Sequence, residues 1–266
     1  MLTALYLWRF GGCINTGQST FYDMTAMSDH PLRNTSIAVT DPSAGLRVTE
    51  IFYSLQGEAL TSGLPTIFIR LTGCPLRCVY CDTEYAFVGG ERQSLDEIMT
   101  TVASHPCKRI CLTGGEPLAQ PNAIALIKML LAEGYEISLE TAGALSVADV
   151  PSAVSKVMDI KTPSSGEADK NLWSNLDYLT PHDQLKFVIM NRADYEWSVE
   201  QLRTHALDER VGTVWFSPMF NVAEDDSSPE VPMLAQELAE WILTDALPVR
   251  FQLQLHKIIW ADAKGK

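Results

Sequence analysis

Eight short β-rich runs recur between Val48 and Leu255 with helical stretches between them, and this alternation limits the possible folds more than any other feature. VTEIFYSLQ, TIFIRLTG, RICLTGG, YEISLET, KVMDIK, LKFVIM, TVWFSPM and VRFQLQL are the strand candidates. Most are too apolar for a sheet with one wet face, which points to strands covered on both sides. Helices are expected over 94–104, where Ser94 caps and Asp96 and Glu97 suit the first turn, and over 122–133, where Asn122 opens and Gly134 closes the period. Two more are expected at about 193–207 and 232–245. Alternation of this kind builds an α/β fold on a mostly parallel sheet, open or curled towards a barrel, with ligands gathered at the C-terminal strand ends.

Residues 11–47 break the pattern. They are rich in Ser, Thr, Asn, Asp, Gly and Pro and show no sustained periodicity, so residues 1–46 read as a mobile leader and residues 47–266 as a single domain. Met24 and Met27 lie inside the leader, which favours a later translation start over a functional arm. Met1–Phe10 lacks the basic start and small-residue cleavage site of an export signal, and Arg9 interrupts the apolar stretch before Cys13, against lipidation.

Composition narrows the partners. Thirty-three acidic against 20 basic residues give a formal net charge of -13, so there is no global positive field to hold nucleic acid or an anionic membrane. No apolar run approaches the roughly 18 residues of a membrane span. A small-molecule partner in the cytoplasm is expected. Six cysteines, at 13, 74, 78, 81, 107 and 111, are too few for a disulfide scaffold in a chain that can bury its own core.

Three of those cysteines fall within eight residues, Cys74-Pro-Leu-Arg-Cys78-Val-Tyr-Cys81, directly after the strand candidate TIFIRLTG. A structural zinc site takes four protein ligands. Cys107 and Cys111 are the nearby cysteine candidates for a fourth, but they read more simply as thiols packing like small hydrophobes. Three thiolates with one position left open suit a [4Fe-4S] cluster whose unique iron binds something else.

The C-x3-C-x2-C spacing, followed some thirty residues later by Thr113-Gly114-Gly115-Glu116-Pro117 at a strand end, resembles the radical S-adenosylmethionine superfamily. On the residues alone, the glycines would let backbone approach a ligand and the acid would meet an ammonium group. EIFYSLQGE at 50–58, FIRLTGC at 68–74, CDT at 81–83 and LQLHK at 253–257 narrow the resemblance to the 7-carboxy-7-deazaguanine synthases, over about residues 47–262.

That resemblance implies a partial, open βα barrel and the contraction of 6-carboxy-5,6,7,8-tetrahydropterin to 7-carboxy-7-deazaguanine with release of ammonia, a step of deazapurine and queuosine biosynthesis. It implies a [4Fe-4S] cluster on Cys74, Cys78 and Cys81 and S-adenosylmethionine as a regenerated source of a radical that takes hydrogen from the substrate. It also implies Mg2+ on Thr83, with Asp82 orienting bound water. Leu55, Gln56, Gly57, Arg70 and Thr113 would meet substrate, Arg70 by gripping its carboxylate. Gly115, Glu116, Glu140, Lys161, Thr162, Pro163, Ser217, Pro218, Met219 and Phe220 would meet S-adenosylmethionine. Ala142 stands where the family has asparagine, His256 reads as structural or supporting, and Asp262 lies about where some members end, so the AKGK tail argues against a terminal-carboxylate contact. A flavodoxin or ferredoxin would supply electrons, and a homodimer is expected.

Two other classes compete. A glycyl-radical activating enzyme shares the cysteine spacing but acts on protein, and against it stand the LQG and CDT segments and the lack of an added ferredoxin-like cysteine set. A zinc-stabilised binding module would be colourless and carry stoichiometric zinc when purified without oxygen, whereas the radical enzyme would be brown. A chain shortened to start near Ala44 is expected to keep full turnover, because the leader lacks the apolar pattern needed to dock on a core; steady-state kinetics and thermal unfolding of the two lengths check this.

Overall fold

The computed structural model describes residues 45–220, 233–261 and 263–266; the expectations for the leader and for Asp262 lie outside the described residues. Nine strands among these residues form one sheet: β1 (Leu46–Leu55), β2 (Pro65–Leu71), β3 (Glu91–Gln93), β4 (Arg109–Gly114), β5 (Glu136–Thr141), β6 (Ser155–Ile160), β7 (Gln184–Ile189), β8 (Thr213–Pro218) and β9 (Arg250–Phe251). Their order is β3-β1-β2-β4-β5-β6-β7-β8-β9. β1 pairs antiparallel with β2 and β3, and every step from β2 through β4 to β9 is parallel. Parallel neighbours in sequence order, joined by right-handed crossovers, place successive helices on one face and curl the sheet around the other. The result is an open, partial βα barrel.

The helices are α1 (Leu95–Ala103), α2 (Ala123–Ala132), α3 (Arg192–Thr204), α4 (Leu207–Arg210), α5 (Met233–Thr244) and α6 (Leu255–Trp260). The cap expected at Ser94 forms as a reciprocal box, with the Ser94 hydroxyl accepting from Glu97 N and the Glu97 carboxylate accepting from Ser94 N. Asn122 stands at the start of α2 without a side-chain cap, and Gly134 closes it with φ +74°. The helix expected over 193–207 is divided, because Ala206 takes a left-handed conformation between α3 and α4. The strand expected over 249–255 is two residues long, and the chain turns into α6 instead: Gln252 N still donates to Phe216 O, but Leu255 N donates to Gly57 O, outside the sheet.

Strand periodicity sorts the residues. Facing outward are Ile67, Ile69 and Leu71 of β2, Ile110 and Leu112 of β4, and Ile137 and Leu139 of β5, packed with Ile98 and Val102 of α1 and Leu126, Ile127 and Leu130 of α2. A second outward core joins Met158 and Ile160 of β6, Leu185, Phe187 and Ile189 of β7, and Val214 and Phe216 of β8 with Tyr195, Val199 and Leu202 of α3 and Leu238 and Ile242 of α5. The alternate positions, among them Arg70, Thr113, Glu140, Asp159 and Lys186, line the concave side.

The connection from β1 to β2 closes the N-terminal end of this concave side. Ala59 N donates to Gln252 Oε1 (2.6 Å), Leu60 N donates to Gln184 Oε1 (3.0 Å), and Glu58 pairs with Lys186 (2.7 Å). Gly57 makes the closure possible: a Cβ at this position would overlap the imidazole Nδ1 of His256. Gly57→Ala is therefore expected to cost about 1–3 kcal/mol of stability in denaturant unfolding, as overpacking does, and Gly57→Ala/His256→Ala to recover most of it.

Candidate active site

The concave side encloses a cavity of about 250 Å3. Cys74, Cys78 and Cys81 form part of its wall, on the loop that leaves the C-terminal end of β2. That loop is held down on the β6–β7 connection, with Val79 N donating to Ser165 O (3.0 Å) and Arg77 N to a Glu167 carboxylate oxygen (2.5 Å). Burial raises all three thiols, Cys78 to about 11, so each is a neutral thiol until a metal displaces its proton. Among the described residues, no three His, Cys, Asp or Glu side chains converge as the shell of one metal ion. A four-iron cluster is held differently, each thiolate on its own iron, so thiols standing around one wall fit it where they do not fit a single zinc. Cys107 lies at the opposite end of the sheet against Pro65 O, and Cys111 is buried on β4 inside the cavity, its thiol pushed up to about 12 by burial.

The Thr113–Pro117 turn also joins strand ends, and Thr113, Gly114 and Gly115 line the cavity. Cβ atoms at Gly114 and Gly115 would collide with the backbone of Leu71 and Gly73 respectively, and Gly115 N and Glu116 N donate to those same two carbonyls. The glycines thus bring the ends of β2 and β4 together. Glu116 has 0% exposure and does not line the cavity. Its carboxylate accepts from Leu118 N, Thr141 Oγ1 and Ala142 N, which ties the end of β4 to the end of β5.

The other expected contact residues divide between the cavity and the wall behind it. Leu55, Gln56, Gly57, Arg70, Thr83, Thr113, Gly115, Glu140, Lys161, Met219 and Phe220 line the cavity. Thr162, Pro163, Ser217 and Pro218 do not; Thr162 Oγ1 donates to Val188 O and Ser217 Oγ to Gln252 O, so their hydroxyls hold strand ends in place. Gln56 is 4% exposed, and its Oε1 already accepts from Gly57 N and Glu58 N. Only its Nε2, buried without a partner, is left to a ligand, so it offers a donor rather than both edges of the amide.

Glu58, Asp159 and Lys186 also line the cavity, beyond the residues expected from the sequence. Lys186 Nζ lies 2.7 Å from Glu58, 3.9 Å from Glu140 and 3.9 Å from Asp159, and Lys161 Nζ lies 3.0 Å from Asp159. Against the cost of burial, Lys186 and His256 hold Glu58 down at about 2, while burial drives Glu140 up to about 7 despite Lys186. One carboxylate stays ionised and the other titrates near neutrality. Burial also pushes His256 below the ordinary histidine range, which favours the neutral imidazole. For Asp159 and Lys186 the sequence carries a signal, a charged residue inside an apolar parallel strand; Glu58, in the β1–β2 connection, carries none.

Sheet, cavity and thiol loop together define a radical S-adenosylmethionine protein, and residues 68–160 match the family model described as the Radical SAM superfamily. The chain is 45% identical over 225 residues to a 7-carboxy-7-deazaguanine synthase of Koribacter versatilis, covering 83% of this chain and 100% of that one. It is 40% identical to one from Chlorobaculum tepidum, covering 84% and 98%. QueE from Escherichia coli shares the fold, with a TM-score of 0.64 at 20% identity over 80% of this chain and 95% of that one. The chain belongs to the 7-carboxy-7-deazaguanine synthase family.

Cys78→Ala is expected to abolish turnover and lower bound iron, since two thiolates cannot present a cluster with a unique iron. Cys111→Ala should keep full iron content and cost about 1 kcal/mol of stability, as a small core change does; iron analysis of both variants checks the assignment.

Proposed function

We propose that this chain catalyses the radical ring contraction of 6-carboxy-5,6,7,8-tetrahydropterin to 7-carboxy-7-deazaguanine with loss of ammonia. The observation that carries the reading is that one cavity holds the three thiols, the Gly115 turn, Arg70 and Gln56 together, in a chain of this family. Anaerobic incubation with reductant, S-adenosylmethionine and the carboxypterin, followed by mass spectrometry for the deazaguanine acid, tests it. An activating enzyme acting on protein is not favoured, because the cavity is sized for a small molecule and closed at its N-terminal end by residues 56–60.

When bound, the cluster and S-adenosylmethionine supply a carbon radical able to remove hydrogen from the substrate. Cys74, Cys78 and Cys81 hold the cluster, and Gly115, Glu140, Lys161, Met219 and Phe220 form the wall for S-adenosylmethionine. Glu116, Thr162, Pro163, Ser217 and Pro218 support that wall from behind. Arg70 grips the substrate carboxylate, Gln56 Nε2 donates to a ring acceptor, and Leu55, Gly57 and Thr113 complete the substrate surface. Glu140, with a proton affinity near neutrality beside Lys186, is suited to hold or pass a proton as ammonia leaves. Residues 47–266 act as one domain, reduced by a flavodoxin or ferredoxin and assembled as a homodimer. No helix among the described residues is long and apolar enough to cross a membrane.

Thr83 is proposed as a magnesium ligand. It stands at the N-cap of the short turn Glu84–Ala86 but makes no capping bond, and its hydroxyl donates to Asp82 Oδ1 at 2.7 Å. Giving its proton to Asp82 leaves the oxygen lone pairs of Thr83 to a hard cation. Thr83→Ala is expected to weaken the Mg2+ dependence of turnover with cluster content and reductive cleavage of S-adenosylmethionine retained, and Thr83→Ser to keep most of the response. Turnover against Mg2+ concentration decides it; an unchanged curve for Thr83→Ala would remove the residue from the metal site.

A further inference from the structure

Glu50 reaches the cavity side of the sheet through an irregularity in β1. Val48 pairs with Leu71 and Glu50 pairs with Arg70, so two steps along β1 match one along β2. In a regular ladder Val48 and Glu50 would share a face. The bulge at Thr49 separates them: Val48 stays in the outer core with Leu71, while Glu50 and then Phe52 turn inward beside Arg70 and Phe68. Phe52 and Phe68 stack there with ring centres 4.8 Å apart. Bulges commonly re-aim side chains next to active sites.

A carboxylate turned inward needs partners, and Glu50 has two on a single oxygen. Arg70 Nε and the Tyr85 hydroxyl both donate to Glu50 Oε1, each at 2.8 Å. The Arg70 guanidinium carbon lies 5.8 Å from the ring centres of both Phe52 and Tyr85. One hydrogen bond at Nε and two aromatic rings therefore hold the guanidinium. Its two terminal nitrogens have no acceptor among the described residues, and Arg70 lines the cavity.

We propose that Glu50 is a positioning residue for recognition of the substrate carboxylate: by tying Arg70 Nε and the Tyr85 hydroxyl to one oxygen, it fixes the guanidinium plane so that both terminal nitrogens meet the carboxylate together. This rests on the reading that Arg70 grips that carboxylate. Two effects of Glu50 oppose each other, since its charge also offsets that of Arg70. Orientation wins because the terminal pair can donate in parallel only from a fixed plane, and two parallel charged bonds outweigh the single one that a freely turning guanidinium keeps.

The test is anaerobic equilibrium binding to the cluster-loaded enzyme of 6-carboxytetrahydropterin and of tetrahydropterin lacking the carboxylate. Glu50→Gln should reduce the preference for the carboxylated ligand about tenfold while leaving iron content and affinity for the uncarboxylated ligand unchanged. Tyr85→Phe, which removes the other donor to the same oxygen, should reduce the preference in the same direction and covers the case in which Glu50→Gln does not fold. A preference that stays the same or rises overturns the proposal, as does a parallel loss of affinity for both ligands, which a merely structural role would give. Arg70→Gln separates the two layers: if it leaves the preference intact, the reading of Arg70 fails, and if it abolishes the preference while Glu50→Gln does not lower it, only the positioning role fails.

Discussion

The ammonium of Lys186 is the group on which the closed end of the structure depends. It is buried in the middle of β7, and its nearest counter-charge, Glu58 at 2.7 Å, belongs to the connection between β1 and β2 on the far side of the curled sheet. Removing one partner of a buried pair costs roughly 3–5 kcal/mol, because the other charge is left unmatched. Lys186 therefore fixes where residues 56–60 cross the concave side. Glu58 in turn accepts from Gln254 Nε2 at 2.8 Å and from Gln252 Nε2 at 3.4 Å, which carries the constraint into the segment between β9 and α6. The floor of the cavity is thus set by charge matching between distant parts of the chain.

The opposite end is built by backbone exchange over short distances. Leu71 O, Gly73 O and the Glu116 carboxylate draw the ends of β2, β4 and β5 into contact, and the thiol loop leaves from that junction. At position 142 the group used in the junction is the Ala142 N–H, at 2.7 Å from Glu116 Oε2. A side chain is not required for that bond.

What the sequence made legible follows from range. The thiol loop, the Ser94 cap and the αL closure at Gly134 depend on neighbours within a few residues, and each could be placed from spacing and residue type. The parallel strands could be found because their outward positions are apolar. Their inward positions were only half legible: Arg70 in TIFIRLTG was named through the family resemblance, while Asp159 in KVMDIK and Lys186 in LKFVIM, equally charged residues in apolar strands, were not. The bulge at Thr49, the turn into α6 and the buried carboxylate of Glu116 were not legible. Each is decided by a partner far along the chain: Arg70 for Glu50, Gly57 for Leu255 and Thr141 for Glu116.

Charge distribution separates the cavity from the rest of the molecule. The chain carries a net charge of -13, which would repel a carboxylated ligand if the excess were spread evenly. The cavity lining does not share it: Arg70, Lys161, Lys186 and Lys266 are matched there by Glu58, Asp82, Glu140 and Asp159. Pairing within that set is uneven in a way that matters. Among the described residues, Lys161 and Lys186 pair with Asp159 and Glu58, whereas Arg70 gives its Nε to Glu50 and its terminal nitrogens meet no acceptor. An anionic group entering the cavity therefore meets, in Arg70, a strand-borne cation with terminal N–H donors to offer, and the placement of that cation decides which end of a small molecule faces which wall.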